Sequence, residues 1–201
     1  LSTSTIPNDE ACLRILEQEG CKPSVIQHVC NVQMIAVAMA ERSGAEIELV
    51  RAGALLHDVG RARTQGIMHV PEGVRIARER HLPENLVMLI QRHVAAGLTS
   101  AEAVALGLPP GDYVPRSLEE KIVCHADNLV KGSEGIQTLA DAMAEMVRRG
   151  HRVTAERMQA MHAELSQACG TDIDDLVREV KSRPRVKGPC AGHTSRPDVR
   201  L

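Results

Sequence analysis

Residues 23–44 read PSVIQHVCNVQMIAVAMAERSG. Pro23 suits the first turn of a helix, and Val25, Val29, Val32, Ile35, Ala36 and Met39 recur three and four residues apart. Gly44 then offers the left-handed stop that ends helices. A stripe of that period is a helix with one buried face. Carried in both directions, the same reading gives about nine helices. Asn8 or Asp9 caps one that ends before Gly20, and another runs from Ala45 to Asp58 with Gly60 behind it. Val70–Arg80, Pro83–Val94 and Ser100–Leu106 follow. Ser117 and Glu120 form a capping box that opens a helix to Val130. Thr138–Arg149, Thr154–Cys169 and a last helix to Lys181 complete the set. No stretch keeps the strict alternation of a strand, so the expected fold class is all-α, a helical bundle.

Composition agrees with one globular domain. The 201 residues are 43% hydrophobic and 25% charged, which excludes a disordered chain, a collagen and a disulfide miniprotein. A core of this size needs no metal to hold it, so a metal site would serve function. There is no Phe or Trp and a single Tyr, Tyr113, which leaves aliphatic residues and Met39, Met143, Met146, Met158 and Met161 to fill the interior. The formal charge is −2, and it makes no case for nucleic acid as an obligate partner. Charge is unevenly placed: residues 182–201 hold Arg183, Arg185, Lys187, Arg196 and Arg200 against Asp198. The expected organisation is a single domain over 1–181, motif-bearing from 8 to 135 with C-terminal helices over 138–181, and a basic, flexible tail over 182–201. Six cysteines without a C-x-x-C pair read as core residues or surface thiols in a reducing compartment. No apolar run is long enough to span a bilayer, so no membrane partner and a cytoplasmic location are expected.

Nine histidines are many for such a chain, and periodicity sorts them. His28 lies on the apolar stripe of residues 23–44. His57 follows Val50 by seven and Ala54 by three, and His93 follows Leu86 by seven and Ile90 by three, so both face inward. Asp58, beside His57 at the end of an apolar helix, is costly to bury without a compensating positive charge. Asp127 follows Val123 by four and faces the core as well. Imidazoles and carboxylates together suit a borderline or hard divalent metal. His125 points away from Asp127, and His81, His151, His162 and His193 read as surface residues. Tyr113 reads as a loop anchor, and Arg92 as pointing away from His93.

His28, the pair His57-Asp58 and Asp127 resemble the H…HD…D signature of the HD-domain superfamily of metal-dependent phosphohydrolases. Ala54-Leu55-Leu56-His57-Asp58-Val59-Gly60 and His125-Ala126-Asp127 resemble its surrounding segments. His69 with Gly73 and Ile76, and Gln91-Arg92-His93 with Gly97, resemble elements of a two-metal branch that includes HD-domain diadenosine tetraphosphate hydrolases. The resemblance implies an HD-type helical bundle. It also implies a metal set of His28, His57, Asp58, His69, His93 and Asp127, holding one or two divalent ions. Iron or manganese is favoured, with nickel, cobalt, magnesium or zinc as alternatives.

The function it implies is hydrolysis of a phosphomonoester or phosphodiester, expected in a nucleotide, by a metal-activated hydroxide with Asp58 as the catalytic residue. Arg61, Arg63 and Lys131 are the expected contacts to the phosphorylated substrate. Two other classes stay open: a non-catalytic metal-stabilised module that binds nucleotide or a partner, and a di-iron oxygenase. A homodimer is a further expectation, from the amphipathic later helices.

Overall fold

The computed structural model describes residues 5–132, 135–182 and Cys190. The expected all-α architecture is present, with ten α-helices among the described residues. They are α1 (Asp9–Glu19), α2 (Pro23–Ser43), α3 (Ile47–Leu56), α4 (His69–Glu79), α5 (Glu84–Arg92), α6 (Ser100–Ala105), α7 (Leu118–Asn128), α8 (Leu139–Arg148), α9 (Arg152–Cys169) and α10 (Ile173–Ser182). The capping signals work as chemistry. Asn8 accepts from the Ala11 amide at 2.9 Å, and Ser117 and Glu120 close a reciprocal capping box at the start of α7. Gly20 and Gly44 end α1 and α2 in the left-handed region.

The central helix is α2, which packs against α3, α7, α9 and α10. Val29, Val32, Ile35, Ala36 and Met39 of its stripe are buried. Helix α3 packs on α2, its Leu55 and Leu56 are both fully buried, and truncating either to Ala would cost about 2–5 kcal/mol. Met39, Met158 and Met161 lie in the core as expected, with Met143 and Met146 packed at its edge. Tyr113 sits in a smaller cluster with Val70, Val94, Leu98, Ala103 and Leu108, and its hydroxyl donates to the Pro109 carbonyl at 2.9 Å. It is a loop anchor.

Four details differ from the sequence reading. Helix α3 stops at Leu56 rather than Asp58, and residues 59–62 continue as a single 3-10 turn. Helix α7 stops at Asn128, after which β1 (Val130–Lys131) pairs antiparallel with β2 (Gly135–Ile136). Two-residue strands are too short to show an alternation. Cys30 and Cys190 are joined in a disulfide across 160 residues of sequence, a pairing no spacing rule anticipates. Cys12, Cys21, Cys124 and Cys169 are free and buried. Apart from Ser182 and Cys190, the expected basic tail lies outside the described residues, as does His193. No helix among the described residues is long and apolar enough to cross a membrane.

Candidate functional site

The six residues singled out as metal ligands converge. His28 comes from α2, His57 and Asp58 from the turn that ends α3, His69 from the first residue of α4, His93 from the end of α5 and Asp127 from the last turn of α7. His57, Asp58 and His93 are 0%, 2% and 1% exposed. Asp58 lies between two groups. Its Oδ2 faces His28 Nε2 at 3.7 Å and His57 Nε2 at 3.8 Å, while its Oδ1 faces His69 Nε2 at 3.1 Å and His93 Nε2 at 3.7 Å. Asp127 Oδ1 stands 2.9 Å from His28 Nε2 and 3.4 Å from His57 Nε2.

The outer nitrogens explain the orientation of these rings. His57 Nδ1 donates to the Ala54 carbonyl and His93 Nδ1 to the Ile90 carbonyl, both at 2.8 Å. His69 Nδ1 donates to the Gly66 carbonyl at 2.5 Å and His28 Nδ1 to the Gly132 carbonyl at 3.1 Å. A carbonyl only accepts, so each Nδ1 carries a proton and Nε2 is the nitrogen left facing inward, able to offer a lone pair to a cation when the ring is neutral or to donate to a carboxylate when it is protonated. Four such nitrogens and two carboxylates then face one another, with His69 and His93 bringing Nε2 to Nε2 at 3.1 Å. His57 Nε2 and Asp58 Oδ1 are buried without a hydrogen-bond partner. Converging imidazoles and carboxylates with orphaned buried atoms fit a divalent cation, and the ligating atoms of His28, His57 and Asp127, and of His57, Asp58 and His93, lie close enough together to hold one.

The electrostatics follow. Burial works to raise the carboxyls of Asp58 and Asp127, but the His57 imidazole beside both, with His69 next to Asp58 and the bond from His28 to Asp127, holds both below the usual carboxylate range. Burial pushes the His93 imidazole down to about 3, helped by His57 and His69. Burial also works to lower His28, yet its bond to Asp127 carries it above the ordinary histidine value.

The three cations expected at the substrate part company. Arg61 donates from Nε to Asp58 Oδ2 at 2.5 Å, so it braces the carboxylate itself. Arg63 pairs with Glu19 at 2.7 Å and Glu79 at 3.5 Å, away from the cluster. Lys131 was expected at the substrate, just past a helix running to Val130; because α7 ends at Asn128, it lies instead on β1, exposed, lining a cleft against α8. Arg92 turns away from the cluster to Glu120 at 2.8 Å and Asp112 at 2.9 Å, tying the 107–116 loop to α5.

His125 and His162 correct the sequence reading in another way. His125 does face away from Asp127, but His162 is not a surface residue: it is 7% exposed and meets His125 at 3.0 Å. The signal was available, since His162 lies on the Met158, Met161 and Leu165 face of α9. The carbonyls of Gly66 and Gly132 that orient His69 and His28 had no such signal, because backbone acceptors leave no mark in residue type.

Comparison with known proteins adds three findings. The HD domain family description matches residues 25–132. The chain is 42% identical over 171 residues to a tRNA (cytidine(56)-2′-O)-methyltransferase of Thermoplasma volcanium, covering 85% of this chain and 50% of that protein. A Picrophilus torridus protein of the same name is 41% identical over 175 residues, covering 87% of this chain and 51% of that protein. An uncharacterized protein of Methanocaldococcus jannaschii is 46% identical over 133 residues, covering 64% of this chain and 78% of that protein. The chain thus spans about half the length of the two named relatives.

Among solved structures, the HD domain of the L. monocytogenes phosphodiesterase PgpH in complex with cyclic-di-AMP superposes with a TM-score of 0.54 at 18% identity. The match covers 88% of this chain and 99% of that one. The same domain in a second structure gives 0.51 at 19%, covering 86% of this chain and 98% of that one. At that identity the likeness is one of fold.

These findings overturn the expected function. The two relatives that carry a functional name, 42% and 41% identical to this chain over the matched residues, are named for tRNA 2′-O-methylation, not for nucleotide hydrolysis. The hydrolase expectation rested on the signature, which the structural neighbours support only as a shared fold. HD-domain proteins bind divalent metals, and the His/Asp cluster here is of that kind. With the family description spanning more than half of the sequence and all six clustered residues inside it, the chain belongs to the HD-domain family.

Proposed function

We propose that this chain is the metal-holding, RNA-facing part of a tRNA-directed enzyme that works in ribose 2′-O-methylation. The observation that carries this reading is the 42% and 41% identity, over 85% and 87% of the chain, to proteins named for that reaction. The fold argues for a division of labour. Parallel-sheet proteins hold nucleotide-like cofactors in a crevice at the ends of their strands, and among the described residues the only sheet is a two-stranded antiparallel pair. What the bundle does bring together is the His/Asp cluster.

In this reading His28, His57, Asp58, His69, His93 and Asp127 are the residues that would hold one or two divalent ions. Such an ion, when bound, supplies concentrated positive charge for a phosphate of the RNA backbone. Arg61 positions Asp58, and the carbonyls of Ala54, Gly66, Ile90 and Gly132 keep the four imidazoles in the ligating tautomer. A net charge of −2 argues only against broad, unfocused attraction to duplex, so the RNA contact is local.

The test measures binding of a tRNA transcript to the metal-loaded protein and to Asp58→Ala, alongside label transfer from a methyl donor to tRNA. The expected result is tRNA binding that weakens in the variant, with no methyl transfer by this chain alone. Absence of tRNA binding by the metal-loaded protein would sink the reading. Methyl transfer by the chain alone would overturn the division of labour.

A further inference from the structure

We infer that Arg61 competes with the divalent cation for the Asp58 carboxylate, and so sets how tightly the His/Asp cluster holds its metal. The inference rests on the metal-holding part of the reading above and is independent of the RNA.

The placement begins in the backbone. Residues 59–62 form a 3-10 turn, in which side chains three apart lie one above the other. Arg61 therefore stands over Asp58: its amide donates to the Asp58 carbonyl at 2.9 Å, and its Nε donates to Asp58 Oδ2 at 2.5 Å. An α-helix continued through these residues would offset the two side chains by about 60°. The early end of α3 is what sets a guanidinium on an acid of the cluster.

The two oxygens of Asp58 are unequally engaged. Oδ1 is buried without a hydrogen-bond partner, whereas Oδ2 carries Arg61 and also faces His28 Nε2 at 3.7 Å and His57 Nε2 at 3.8 Å. A cation recruited by those imidazoles meets an oxygen whose charge is already shared with a guanidinium. Asp58 is buried, so water screens little of the repulsion between the two cations. A histidine in that position gives way by losing a proton, but an arginine keeps its charge and can only move. It has somewhere to go, since its side chain is 32% exposed against 3% for that of Asp58. Arg61 thus holds the buried carboxylate until a divalent ion draws it away, and its guanidinium then turns toward solvent. Positioning Asp58 and yielding it are two halves of one role.

A brace and a competitor differ in sign. Removing a residue that only supports a metal ligand typically weakens metal binding by about 10- to 100-fold, whereas removing a competing charge strengthens it. The experiment measures Mn²⁺ affinity against a chelating indicator for the wild type, Arg61→Gln and Arg61→Lys, and records the melt of each after metal removal. Gln keeps a donor for Oδ2 without the charge, and Lys keeps the charge. Arg61→Gln should bind Mn²⁺ about tenfold more tightly, the effect of one unit charge about 6 Å from a divalent ion even with the screening of water. Its metal-free form should melt about 3–6 °C lower, because a buried carboxylate has lost its cation. Arg61→Lys should stay within about threefold of wild type, since the charge is retained. Affinity and melt move in opposite directions, which a general loss of folding cannot reproduce. Wild type gives a reading that needs no variant: hydrogen exchange at the Arg61 Nε, followed by NMR, should be slow without metal and faster with diamagnetic Zn²⁺. Weaker or unchanged Mn²⁺ binding in Arg61→Gln, or exchange equally slow with the ion bound, would overturn the competition and leave the metal reading standing. No Mn²⁺ binding by the wild type would overturn that reading and the inference with it.

Discussion

His69 sits where a three-residue turn becomes α4, and its Nε2 lies 3.1 Å from both Asp58 Oδ1 and His93 Nε2. No apolar stripe points to it, because a residue at a loop-to-helix junction has no periodic neighbours on its N-terminal side. Only the motif resemblance named it. His28, His57, His93 and Asp127, by contrast, were legible from spacing alone, since each lies on a face whose other members are aliphatic. The consequence is measurable by metal analysis of protein purified without chelator. Wild type should carry two divalent ions per chain, and His69→Ala about one, because the substitution strips the Oδ1 side of Asp58 and leaves His28, His57 and Asp127 untouched. An unchanged metal count would remove His69 from the centre. Arg61 and Lys131 mark where residue-level reading ran out. Arg61 was correctly placed near the cluster but serves a carboxylate, and the site of Lys131 depended on a helix end.

Helix ends were the least legible level. Capping boxes and glycine stops read through directly, as at Ser117–Glu120 and Gly44, because each is a local bond or a local backbone requirement. The ends of α3 and α7 are decided by what crosses them. At Gly60 an added Cβ would lie 1.9 Å from the His69 carbonyl oxygen and 2.6 Å from the Gly73 amide nitrogen. The turn after Asp58 and the first turn of α4 therefore touch backbone to backbone, which brings His69 within reach of Asp58. Gly60→Ala has backbone on both sides and no flexible side chain to move aside, so it should cost about 3 kcal/mol or more. Gly20→Ala meets open space and only the strain of a φ of 83°, at about 1 kcal/mol. Chemical denaturation of the two variants checks the contrast. Metal content should fall in Gly60→Ala alone.

At the scale of the whole molecule, the all-α class was visible from stripes and from the lack of aromatic residues, while the covalent tie between Cys30 and Cys190 was not. Pairing depends on three-dimensional approach, and six cysteines allow many connectivities. Closing a loop of 160 residues stabilises by about 5 kcal/mol at most in the chain-entropy treatment, and measured cases usually give about 2–4 kcal/mol. Cys190→Ser, or mild reduction of the wild type, should therefore lower Tm by about 5–15 °C. A melt unchanged by reductant would show that the bond contributes nothing to the native state. The same bond sets the molecule's topology. Everything between Cys30 and Cys190, including α3 to α10, forms a closed covalent ring. A protease that cuts once inside that ring opens it without dividing the molecule. On a denaturing gel without reductant, such a nicked chain runs as one species, and two fragments part only when the sulfurs do.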